Sequence, residues 1–199
     1  MIYNKPMINK ITCGFILIAM FLIYPILNQR GENAHIIKFA IDDTIPFVPI
    51  FSIPYILYIP FLIITLIYFV GFTNLYRSIS IAFIFCLLIA YLTYFFYQTY
   101  ILRPEITNID VFSKLVLYIY SKDHPYNCFP SLHNALSILS FFYWVQVLPK
   151  FKWIIGIFVL LIILSTLLIK QHYIPDVISG VLLAIISFRI SCHFSKKLP

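Results

Sequence analysis

His172 and Asp176 stand four residues apart in the stretch Ser165-Thr166-Leu167-Leu168-Ile169-Lys170-Gln171-His172-Tyr173-Ile174-Pro175-Asp176. If both fall in one helical turn, the carboxylate can accept from one imidazole nitrogen. That fixes the tautomer and leaves the other nitrogen bare as a nucleophile. A purely structural pair at a helix start has the same spacing. Cys128-Phe129-Pro130-Ser131-Leu132-His133 sets a second histidine beside a proline and a serine that suit the opening of a helix. The free N–H groups and positive dipole end of such a turn attract an anion, and Ser131 adds a hydroxyl donor. A hydrogen-bonding surface histidine is the plainer reading. Arg103-Pro104 offers a planar fork of donors matched to two phosphate oxygens, followed by a residue that turns the chain. An arginine snorkelling to lipid headgroups is the alternative there.

Together the clusters supply a nucleophile, its orienting carboxylate, an acid for a leaving oxygen and donors for equatorial oxygens, the parts that phosphoryl transfer needs. His133, His172 and Asp176 are also of the types that bind zinc. Arg103 and Lys170 beside them would repel a cation, so neither a metal nor another cofactor is expected.

The elements that must position these residues are apolar. The chain of 199 residues is 62% hydrophobic and 11% charged, against roughly 45–50% and about 25% in soluble domains. Too few polar residues remain to cover a globule. The apolar residues fall in six blocks, Ile11–Leu27, Pro49–Val70, Ile79–Ile101, Ser131–Leu148, Trp153–Ile169 and Asp176–Phe194. Each is long enough, or nearly so, to cross hydrocarbon roughly 30 Å thick as a helix. The pattern predicts an all-α bundle of six transmembrane helices forming one domain over residues 1–199, with the candidate motifs within 103–176. The first block is expected to be retained, since no small-residue cleavage site follows it. Pro49, Pro54 and Pro60 predict that the second is kinked or starts late. Cys13, Cys86, Cys128 and Cys192 have no same-face partner, so no disulfide is expected.

Charge orients the bundle. With the amino terminus inside, the inner segments hold Lys5, Lys10, Arg77, Lys150, Lys152, Arg189, Lys196 and Lys197. The outer segments hold Arg30, Lys38, Arg103, Lys114, Lys122 and Lys170, together with all seven carboxylates, Glu32, Asp42, Asp43, Glu105, Asp110, Asp123 and Asp176. The lysine and arginine bias has the sign expected of cytoplasmic loops. Both termini then lie inside, and all three clusters face outward. The net charge of +7 is a topology signal, not a footprint for nucleic acid. The inner connections Gly71–Ser78 and Pro149–Lys152 are brief. The outer ones are long and contain two stretches, Ala34–Ile45 and Val111–Tyr120, that suit short amphipathic helices, the first equally an ordinary solvated loop.

These motifs resemble those of the type 2 phosphatidic acid phosphatase superfamily of membrane lipid phosphatases and phosphotransferases. Its pattern runs Lys-x6-Arg-Pro, Pro-Ser-Gly-His, then Ser-Arg-x5-His-x3-Asp on a six-helix core. Here Arg103-Pro104, Pro130-Ser131-Leu132-His133 and Ser165-Thr166-x5-His172-x3-Asp176 follow in order and spacing. The resemblance implies that His172 attacks phosphorus, that Asp176 orients it, and that His133 protonates the departing lipid alkoxide. It implies that Arg103, Ser131 and Ser165 hold phosphate oxygens without a metal. The family lysine falls on Phe96, its second arginine on Thr166 and its glycine on Leu132. Lys170, one turn beyond Thr166, is expected to restore part of the missing charge. Pro-Ser-Leu-His and Asp42-Asp43-Thr44-Ile45-Pro46-Phe47-Val48-Pro49 also resemble the branch that contains inositol phosphorylceramide synthases. The expectation is a lipid phosphate phosphatase of a bacterial cytoplasmic membrane, working on the outer leaflet with the bilayer and a membrane lipid phosphate as its partners. A headgroup phosphotransferase using the same phosphohistidine is the first alternative. An inactive relative that binds or moves phospholipid is the second.

Overall fold

The computed structural model describes residues 5–29, 33–107 and 110–197; Arg30 and Glu32, assigned above to an outer segment, lie outside them. Seven α-helices make up the bundle, and among the described residues no strand forms beyond two isolated bridges. They are α1 (Lys5–Leu27), α2 (Ser52–Phe69), α3 (Thr73–Phe96), α4 (Val111–Lys122), α5 (Leu132–Val147), α6 (Lys152–Leu168) and α7 (Ile174–Lys197). Five of them, α1, α2, α3, α6 and α7, are long and apolar enough to cross a membrane.

The fourth apolar block gives the shorter α5, whose 16 residues span about 24 Å at the α-helical rise. It lies in the middle of the bundle, packed on α7, α6, α3 and α2. A helix surrounded by protein has no need to present a continuous apolar surface, and its buried positions include Asn134, Ser137 and Ser140. Small side chains let its neighbours close in. Ala82 and Ala90 of α3, Ala135 of α5 and Ala184 of α7 are all fully buried. Buried hydroxyls find partners across the bundle: Tyr143 lies 2.9 Å from Ser78 and 2.7 Å from Ser191, and Trp144 Nε1 donates to Thr65 Oγ1 at 2.8 Å.

One local expectation changes. The third helix ends at Phe96, well before Arg103-Pro104. Residues beyond it run extended, with Thr99 bridged to His35 and Tyr100 to Tyr126, so pairing with the outer loops replaces the last helical turn. The second helix does start late, after a 3-10 turn at Pro49–Phe51. Pro54 then sits in its first turn, where no amide is missed. Of the outer stretches, Val111–Lys122 forms α4, capped by Asp110. Ala34–Ile45 holds only a short 3-10 turn, Ala40–Thr44.

Candidate active site

The loops and helix ends on one side of the bundle converge. α6 closes in a Schellman motif: Gln171 N donates to Thr166 O at 2.9 Å and Lys170 N to Leu167 O at 3.1 Å. Lys170 takes the left-handed position, φ 54°, usually reserved for glycine. The turn throws His172 out just before α7. The two residues do not share a helical turn: His172 precedes the helix and Asp176 lies within its first turn. Asp176 Oδ2 reaches back to accept from Tyr173 N at 2.9 Å and lies 3.3 Å from His172 Nδ1. One carboxylate oxygen thus steadies the helix start and the imidazole together.

Pro130 also falls outside its helix. Ser131 is the N-cap of α5, accepting from Asn134 N at 3.4 Å, and its own N–H donates to Asp176 O at 3.1 Å. The start of α5 is thereby tied to the start of α7. Gly180 makes the crossing possible, because a Cβ there would lie 2.6 Å from the Ser131 carbonyl oxygen. Behind the cap, Tyr94 donates to Pro130 O at 2.7 Å, and Thr99 Oγ1 accepts from Phe129 N at 2.8 Å.

The outcome is two imidazoles facing each other, with His133 Nδ1 3.5 Å from His172 Nε2. Tyr55 and Tyr58 of α2 flank His133, each with ring centroids 4.6 Å away. Arg103 approaches from the extended stretch after α3. Its guanidinium lies 4.1 Å over the Tyr120 ring and donates to Tyr120 O, Asp123 O and Gln171 Oε1. Burial pushes it down from its ordinary pKa, and Asp123 pulls it partly back. Nε of Arg103 and Nε2 of Gln171 are buried without a partner among the described residues.

The remaining candidates point elsewhere in this structure. Ser165 Oγ donates to Ile162 O at 2.6 Å, and Thr166 Oγ1 to Ile163 O at 2.7 Å. Lys170 Nζ donates to the Asp42 and Ile45 carbonyls, while Asp42 Oδ1 accepts from Ile174 N at 2.8 Å. Lys170 therefore holds the 42–45 loop against α7. Phe96 is exposed.

Cys128, His172 and Asp176 offer the one grouping of metal-donor types among the described residues, within 4.8 Å of one another. It fits a metal poorly. Burial pushes the Cys128 thiol well up, away from the thiolate a metal needs, and Asp176 is already engaged.

An apolar cavity of about 1060 Å³ begins at His133 and Asp123 and runs between α1 and α2 as far as Gly14 and Val70. Leu22, Ile59, Ile63 and Ile67 line it and are also exposed on the flank of the bundle.

The family model described as the PAP2 superfamily matches residues 33–190. The chain belongs to that superfamily. No curated protein and no solved structure matches it significantly. PAP2 membership supports a phosphatase-like activity broadly and agrees with the all-helical, membrane-suited fold.

Against the PAP2 motifs, two residues of the cluster went unread. Gln171 precedes the histidine as an ordinary polar residue, and only the αL turn at Lys170 brings it to Arg103. Asp123 has no motif spacing to His133. The only available signal was a carboxylate in the outer segment directly after an amphipathic stretch.

Proposed function

We propose that this PAP2 protein cleaves a phosphate ester of a membrane lipid through a covalent phosphohistidine on His172. The observation that carries the reading is the 3.5 Å approach of His172 Nε2 and His133 Nδ1, with Asp176 behind His172. With its Nδ1–H held toward Asp176, His172 has its Nε2 lone pair free to form a bond to phosphorus. As the phosphorus–oxygen bond breaks, the leaving alkoxide takes a proton from His133. Water then gives a proton to His133 while its oxygen displaces Nε2, releasing phosphate and restoring both imidazoles. Arg103 Nε and Gln171 Nε2 supply unused buried donors for phosphate oxygens, and Ser131 stands at the adjoining helix start. Preorganised donors in a site shielded from water stabilise such charge strongly.

The cavity between α1 and α2 supports a lipid as the substrate. Its polar end meets His133, and its apolar length suits a hydrocarbon chain entering sideways from the bilayer. On this reading α5 is the sixth crossing, its polar residues sheltered by neighbouring helices, and the lysine and arginine bias supports an extracytoplasmic site. Lys170, tied to the 42–45 loop, acts on phosphate through its field and by shaping the turn.

One observation favours a second reading. Two basic positions of the PAP2 pattern are Phe96 and Thr166, and the neutral Gln171 stands beside Arg103. A single guanidinium suits the one negative charge of a phosphodiester better than the two of a monoester. That is the substrate charge of a headgroup phosphotransferase, as in the inositol phosphorylceramide synthase-like branch, where a lipid alcohol replaces water in the second step. Purified protein in detergent, given a panel of lipid phosphates with and without a lipid alcohol, separates the two by free phosphate against new phospholipid. Absence of any turnover, with His172→Ala indistinguishable from wild type, would leave only a lipid-binding relative.

A further inference from the structure

Asp123 is the C-cap of α4, and its oxygens meet three other elements. Oδ1 accepts from Asn28 Nδ2 at 2.8 Å and from Tyr24 OH at 3.1 Å, the first just beyond the end of α1 and the second in its last turn. Oδ2 accepts from Tyr55 OH of α2 and lies 3.9 Å from His133 Nε2. That last distance is too long for a hydrogen bond but within ion-pair reach. The Asp123 carbonyl accepts from Arg103. Four side chains thus hold this residue, and its carboxylate faces the nitrogen of His133 that points away from His172.

We propose that Asp123 is a positioning residue for His133. With its orientation set by Tyr24, Asn28 and Tyr55, the carboxylate holds Nε2–H and stabilises the imidazolium, so Nδ1–H is the proton delivered to the leaving oxygen. The inference rests on the phosphohistidine reading above. In the first step the His172 nitrogen–phosphorus bond forms, the phosphorus–oxygen bond breaks, and the Nδ1 proton passes to the departing oxygen. In the second, the oxygen of the incoming water or alcohol bonds to phosphorus, the His172 nitrogen–phosphorus bond breaks, and the incoming group's proton passes to Nδ1 of His133. Asp123 stays ionised throughout and touches neither reactant. The other ionisable groups facing His133 are Tyr55 and Tyr58 of α2 and His172 before α7, while Arg103 donates to the Asp123 carbonyl. Each histidine of the site would then have a carboxylate of its own, Asp176 for the nucleophile and Asp123 for the acid.

The plainer account is that Asp123 only staples α1 and α2 to α4. Leaving-group dependence separates the two. A long-chain alkyl phosphate needs its departing oxygen protonated, whereas p-nitrophenyl phosphate does not. The first-turnover burst of leaving group is read, so hydrolysis and transfer score alike and the second step shared by both substrates does not enter. The ratio of the two rates in one preparation is independent of the fraction folded. Asp123→Asn is expected to lower the alkyl rate about 10²-fold, within the range of general acid catalysis, and the aryl rate less than about 3-fold. Asp123→Glu should recover most of the ratio, and His133→Ala should lower both bursts, the alkyl one more than the aryl one. Equal losses on both substrates in Asp123→Asn would overturn the proposal and leave the staple. A wild type inert on both substrates and on the matching alkyl and p-nitrophenyl phosphodiesters would overturn the phosphohistidine reading and this one with it.

Discussion

Gly180→Ala tests whether the crossing of α7 over the start of α5 sets the active geometry. The added Cβ would sit 2.6 Å from Ser131 O and 3.2 Å from Asn134 Cβ. An ordinary carbon–oxygen contact is no shorter than about 3.3 Å, so the helices must part by about 0.7 Å. The atom in the way is backbone, and no side-chain rotation relieves it. Overpacking of this kind costs about 1–3 kcal/mol, while alanine regains about 1 kcal/mol of helix propensity over glycine. The net loss of stability is then about 0–2 kcal/mol, a modest fall in Tm. Activity should suffer more. The same displacement moves Ser131 and His133 relative to Asp176 and His172, and misplacement by about 1 Å costs about 10²-fold in rate. Turnover of a lipid phosphate should fall about 10- to 10²-fold, with thermal unfolding in the same detergent as the companion measurement. Gly156→Ala is the control, because its Cβ would meet only Phe141 at 3.4 Å, an ordinary contact. Turnover of Gly180→Ala within about 2-fold of wild type, a small fraction of the loss expected, would refute the reasoning.

Other outcomes follow from the same site. His172→Ala should lose at least ~10³-fold in turnover, because nucleophile and acid act as a unit; a smaller loss in steady-state rates argues against a covalent intermediate on this residue. Activity should persist in chelator without added divalent metal, and a loss that zinc restores would point to the Cys128, His172 and Asp176 grouping instead. Lys170→Ala should weaken substrate affinity and turnover together, and unchanged kinetics would end any role for this ammonium. Lys170→Gly should relieve about 1 kcal/mol of left-handed backbone cost yet share the kinetic defect, as read by Tm alongside rate. Cys128, buried with its thiol pushed up, should resist alkylation until the protein is denatured, which mass spectrometry after labelling reports.

Motif spacing made the clusters around Arg103, His133 and His172 legible, because each is short and set against apolar surroundings where a polar residue stands out. The helices holding them were legible from block hydrophobicity for the same reason. The fourth block reads as a span by its hydrophobicity, yet α5 has 16 residues, keeps asparagine and serine at buried positions, and is not among the five helices long and apolar enough to cross. The end of α3 differs from the sequence reading because Tyr97, Tyr100 and Ile101 continue its apolar pattern, while pairing with His35 and Tyr126 draws the segment into extended form. Asp123 and Gln171 were invisible for a different reason. Their places depend on a capped helix end and an αL turn that no periodicity reports, so only the folded chain brings them to His133 and Arg103.

Under the proposed lipid route, the flank where α1 and α2 leave an apolar cleft would have a kinetic consequence. A substrate that reaches His133 along this route diffuses in two dimensions and never passes through bulk water. Its rate should track mole fraction within the micelle or bilayer, falling when inert amphiphile is added at constant total substrate. Occupancy of the cleft by surrounding lipid then becomes competition, so the composition of the host membrane would itself act as an inhibitor.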